Sequence, residues 1–146
     1  MPRIMRQVHE YFDNRIIRGL EFSFIEDTVT PGKRALNINV GAGVINKVSV
    51  ALAAAKVLRA SDFIVITDGV PNKLLRFDIV VLTSAGAISV VHGVPGAVGA
   101  PVAPALSLLL AQVTIRDGWN NFVGEGPSDE VAVLRSEYVI DTRFLP

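Results

Sequence analysis

The residues in this sequence that first suggest chemistry are two histidines, a closely spaced glycine pair, a few serines and scattered aspartates. His9 and His92 lie far apart, and neither has a His, Asp or Glu at a recognisable metal-ligand spacing. His9-Glu10 lacks the second histidine that a zinc-protease helix requires, so both histidines read as surface or interface residues. Gly41-Ala42-Gly43 superficially suggests a phosphate loop. A dinucleotide fingerprint needs a third glycine and a helix opening there, so that backbone N–H groups face the phosphate. The following Val44-Ile45-Asn46 continues as strand, and the glycines read as turn residues. Ser84, Ser89 and Ser107 lack a nucleophile-elbow context. Asp62, Asp68 and Asp78 lack the loop spacing of a calcium site. No acid/base pair, cofactor site or metal site is expected, and the chain reads as a non-enzyme.

Composition narrows the class further. The 146 residues fit one domain with its own core. Half are hydrophobic and 19% charged, more apolar material than a small monomer usually buries, which makes self-association an expectation. Fourteen basic and fourteen acidic residues cancel without a Lys/Arg run, so no nucleic-acid partner is expected. Cysteine is absent, which excludes disulfides and thiolate chemistry. Met1 to Arg6 has no apolar run of signal-peptide type. Val94 to Ile115 has the length of a membrane span, but Pro95, Pro101, Pro104, Gly96 and Gly99 interrupt it. It reads as a proline-broken loop and a buried strand, with no membrane insertion.

The elements that would position these groups are mainly strands. Ile4, Met5, Val8, Phe12 and Ile16 recur at spacings of three and four, predicting a helical arm over residues 1–18 that packs on its own domain or docks on a partner. From Gly19 the period becomes two, and residues 19–146 form a β-rich domain. Leu20, Phe22 and Phe24 alternate with polar residues, and Leu36, Ile38 and Val40 follow the Thr30-Pro31-Gly32 turn. Val44 to Leu52 reads as two short strands hinged at Asn46-Lys47, Ala53 to Lys56 as irregular, and Asp62 to Thr67 as a strand before the turn Asp68 to Asn72. Arg76 to Thr83 and Ala87 to His92 make a hairpin, apolar on both faces. Leu106 to Arg116 is a long strand with Leu109, Ala111, Val113 and Ile115 on one face. Asp129 to Glu137 reads as one or two helical turns. The predicted fold is an antiparallel β-sandwich or barrel-like domain with a short N-terminal helix.

Two charged pairs stand among hydrophobics. Arg76 and Asp78 share a strand face, as do Asp141 and Arg143, and each reads either as a solvated strand edge or as a structural salt bridge. Partner contacts are expected from Ile4, Met5, Val8, Tyr11 and Phe12 in the arm and from Phe144 and Leu145 near Pro146. Trp119, in Asp117-Gly118-Trp119-Asn120-Asn121, is either an aromatic lid on the core or a glycan platform.

The order of several segments resembles the attachment domain of tailed-phage fibre and baseplate proteins. Arg15-Ile16-Ile17-Arg18-Gly19-Leu20 stands where that family has Arg-Ile-x-x-Gly-Leu. Leu36 to Gly43 is similar to its strand ending in Val-Gly-Ala-Gly, and Asn46-Lys47 to its Asn-Gly hairpin, with Lys in the glycine's place. Leu75 to Leu82, Val90 to Pro95, Pro101 to Val113 and Asp141-Thr142-Arg143 follow in the family's order, the first without its proline. The likeness spans residues 15 to 143. It implies a homotrimeric virion protein, assembled in the host cytoplasm, that holds a tail fibre, spike or baseplate part by subunit packing among other virion proteins. With Pro146 as the last residue, the chain resembles the adaptor without a receptor-binding tip. A head fibre or capsid-decorating protein, and a carbohydrate-binding module, are the alternative readings.

Overall fold

The computed structural model describes residues 14–122 and 133–135. Among the described residues twelve strands follow one another: β1 (Arg15–Gly19), β2 (Phe22–Glu26), β3 (Arg34–Ile38), β4 (Gly41–Ile45), β5 (Val48–Leu52), β6 (Lys56–Leu58), β7 (Ile66–Thr67), β8 (Val70–Pro71), β9 (Arg76–Thr83), β10 (Ile88–Val91), β11 (Ser107–Ile115) and β12 (Val133–Arg135). A 3-10 turn, Ala60–Asp62, precedes β7. The fold is mainly β, and every pairing among the described residues is antiparallel. The sheets run β1-β4-β5, β2-β3-β6, β10-β9-β11-β12 and β7-β8, and none closes into a barrel among the described residues.

The first four strands are two halves of one long ribbon. β2 and β3 form a hairpin, and β1 and β4 continue the same pairing in a different sheet. The ribbon changes sheet where Leu20 N–H donates to Val40 O and Asn39 N–H to Glu21 O. Gly19 makes that corner possible. Its φ is +64°, and a Cβ there would stand 2.2 Å from Val40 O. Leu20 follows at φ +57° with its side chain fully buried, so the corner also delivers a core residue.

Several expectations change here. Arg15 to Arg18 belong to β1 rather than to a helical arm, because Ile16 and Ile17 are β-branched and the backbone pairs with Gly41 to Val44. Residues 1–13, where the rest of the arm was read, lie outside the described residues. Gly41 and Gly43 sit inside β4, not in a turn. Side chains there would meet Arg18 O at 2.4 Å and Leu108 Cδ2 at 2.4 Å, so close packing selects these glycines. Asp62 closes the 3-10 turn, accepting from Arg59 N–H at 2.7 Å, and only Ile66–Thr67 is strand. Lys56 opens β6. Val133–Arg135, read as helical, pairs with Ala111 to Val113.

One core gathers residues from the three larger sheets: Leu36, Ile38 and Leu58, then Ile45, Val50 and Leu52, then Val80, Leu82 and the inner face of β11. That face is not a simple alternation. Leu108 and Leu110 point inward, then Ala111, Val113 and Ile115. A register shift between Leu109 and Ala111 accounts for the two inward neighbours, since a bulge moves all later side chains to the opposite face. Leu109, expected inside, is half-buried instead. Phe63, Trp119 and Phe122 close one end of the core edge-to-face, with ring centroids 5.0–6.2 Å apart.

Candidate functional site

The start of β9, an inner strand of the β10-β9-β11-β12 sheet, holds a polar tie. Arg76, Asp78, Val80 and Leu82 share one face of β9, which places two charges in line with the core, while Ile79 and Val81 are buried on the other face. Arg76 is 2% and Asp78 0% exposed, so a solvated edge does not describe them. Arg76 Nε donates to Asp78 Oδ1 at 2.7 Å and Nη2 to Oδ2 at 3.0 Å, a bidentate pair. Arg76 Nη2 also donates to Phe63 O. His92 Nδ1 lies 2.8 Å from Asp78 Oδ2, and Gly93 N–H donates to Oδ1 at 2.9 Å. The carboxylate is thus engaged on both oxygens, and together with Arg76 it joins β9, the end of β10, the start of the next loop and the Phe63 segment.

An aspartate holding a histidine by Nδ1 is also how hydrolases orient a general base and how metal sites orient a ligand. Here the same carboxylate is clamped by a guanidinium. Among the described residues, Asp78 is the only polar side chain that bonds the His92 ring, and no three metal-ligating residues converge. A cleft of about 80 Å³ lies beside the tie, lined by Val65, Thr67, Asn72, Lys73, Leu74, Arg76 and Pro95. It is well below the roughly 300 Å³ at which small-molecule pockets begin. Through these bonds the tie fastens β9 to Phe63, His92 and Gly93.

It fastens the connection Gly93 to Leu106. β10 and β11 flank β9 on opposite sides, so this loop has to pass from one side of β9 to the other and run its length. It starts with Gly93 packed on Phe77 O and ends with Leu106 O accepting from Ser84 N–H at 3.2 Å. Its side chains are inverted relative to an ordinary soluble loop. Ala97, Ala100, Pro101 and Ala103 are half-buried, while the large residues at every fourth position point outward. Val94 is 70%, Val98 101%, Val102 90% and Leu106 57% exposed.

A second fastening joins the β2–β3 turn to Arg59. Burial opposes ionisation of Asp27, but the Val29 N–H and Arg59 Nε, both at 2.9 Å, outweigh it and hold the carboxyl below its ordinary value. Asn72, buried in a turn, donates from Nδ2 to Trp119 O at 2.9 Å and links two loops.

Of the residues singled out by sequence, Ile4, Met5, Val8, Tyr11, Phe12, Phe144, Leu145, Asp141 and Arg143 lie outside the described residues. Trp119 is 1% exposed inside the aromatic cluster, so its ring presents no face to a sugar. His92 and Gly93 were missed as partners of Asp78. The hairpin register contained the signal: Val91 opposite Ile79 places His92 opposite Asp78. No family model matches this chain, and no curated protein or solved structure matches it.

Proposed function

We propose that this chain is a non-catalytic building block of a larger assembly, of the attachment type found in tailed-phage fibres and baseplates. In this reading the three larger sheets stack as a sandwich around their shared core, the chain is a homotrimer, and it holds a fibre, spike or baseplate part within the virion. The observation that carries the reading is the inverted loop. Large apolar residues turned to solvent over a span of thirteen residues, Val94 to Leu106, mark a surface made to be covered. The Gly19-Leu20 corner supports it further, because it assigns a structural task to a segment on which the resemblance rests. The polar groups best placed for chemistry, Arg76, Asp78 and His92, are engaged in holding the loop's first residue. Mass spectrometry and immunogold labelling of purified particles test the proposal. The chain should appear at fixed stoichiometry and at one location. Particles that lack it would overturn the reading.

A further inference from the structure

We infer that the outward face of the Gly93 to Leu106 loop, with Leu74 and Leu75 beside its first turn, is the surface through which copies of this chain bind one another. The inference rests on the assembly reading above and names the partner of that surface.

The patch is continuous where the loop begins. Gly96 N–H donates to Leu75 O at 2.7 Å, and Leu74 Cδ1 lies 3.6 Å from where a Cβ on Gly96 would stand. Leu74 is 53% and Leu75 43% exposed. A fully exposed valine or leucine side chain offers on the order of 100 Å² of apolar surface, so these two and the four outward loop residues offer roughly 400 Å². One side of a standard interface covers about 800 Å², a little over half of it apolar. The patch has the size that a stable association needs.

Its chemistry selects the occupant. Interfaces between different proteins are anchored by Trp, Tyr and Arg within a polar rim. Gly93 to Ser107 contains no aromatic and no charged residue. Permanent interfaces between identical subunits are more apolar, like a core cut open, and this surface is of that kind. Symmetry adds a stronger constraint. Near a rotation axis each residue meets its own copies, so a charge there would face like charges. All fourteen basic and all fourteen acidic residues fall outside Ile79 to Ile115, and the loop lies within that span. The small residues between the valines let the backbones of neighbouring loops approach closely enough for the valines to interdigitate.

Light scattering on the full chain, coupled to size exclusion, tests the inference. Wild type at micromolar concentration should have a mass that is a multiple of 15.7 kDa. Val98→Asp with Val102→Asp places charges at two fully or nearly fully exposed positions, where the fold loses no packing. This variant should keep the wild-type circular dichroism and run at the single-chain mass, with self-association at least about a hundredfold weaker. Val29→Asp, at an exposed valine on the β2–β3 turn, should leave the mass unchanged. An oligomer that survives the double substitution would overturn the assignment of this surface. A wild-type chain that stays single at high concentration would overturn self-association. Neither result touches the particle measurement, which decides the assembly reading separately.

Discussion

Replacing Asp78 by asparagine removes one negative charge and almost no volume, at a position with no solvent exposure. In the native protein the carboxylate accepts from Arg76 Nε, Arg76 Nη2 and Gly93 N–H, and pairs with His92 Nδ1. An asparagine amide keeps one acceptor oxygen, but turns an N–H group either toward Arg76 Nε and Gly93 N–H or toward Arg76 Nη2 and His92 Nδ1. Arg76 stays buried without its counter-charge, and breaking such a pair from one side costs about 3–5 kcal/mol. Against a total stability of about 5–15 kcal/mol, that is a large fraction. With a urea dependence of about 2 kcal/mol per molar, the unfolding midpoint should fall by roughly 1.5–2.5 M. Fluorescence of the single tryptophan, which is buried in the aromatic cluster, follows the transition. Arg76→Met with Asp78→Leu should be less destabilised than Asp78→Asn alone, because it leaves no unpaired charge in the core. An Asp78→Asn midpoint within about 0.5 M of wild type would refute the reasoning.

Three further outcomes follow from other contacts. The folded Asp27 carboxyl titrates below its ordinary value of 3.8, so its stabilisation is complete above that pH and disappears as pH falls through the lower folded value. Asp27→Asn should therefore be less stable than wild type at neutral pH and approach it in acid, and an NMR midpoint at or above 3.8 would contradict this. Gly43→Ala drives a methyl group to 2.4 Å from Leu108 Cδ2 and should cost about 1–3 kcal/mol in a urea melt, less in a Leu108→Ala background where only the 3.0 Å contact with Arg15 O is left. Lys47 holds φ +70° in the Asn46-Lys47 turn, so Lys47→Gly should stabilise by roughly 0.5–1 kcal/mol, measured the same way; destabilisation would show that unfolded-state entropy dominates.

The legible parts of this protein were those set by neighbours along the chain. Period-two alternation marked β2 and β3, the Asn46-Lys47 hinge separated β4 from β5, and Ser84-Ala85-Gly86 joined β9 to β10, because alternation and turn chemistry are local properties of the backbone. The uncharged span from Ile79 to Ile115 and the proline-rich loop within it were also readable directly, though not which of its residues would face outward. Tertiary pairing decided the rest. Ile16 fits a helical stripe equally well until β4 supplies an edge for it. The β4 glycines look like turn residues until Leu108 and the β1 backbone occupy the space a side chain would need. The β11 bulge, one extra residue against β9, chose which leucines entered the core. Arg76 and Asp78 could be named as a pair from their spacing, but burial and the cross-strand arrival of His92 and Gly93 determined that the pair is a fastening. A side chain's preferred period is written in its own stretch of sequence, whereas its face and its partners depend on which distant strand meets it and in what register.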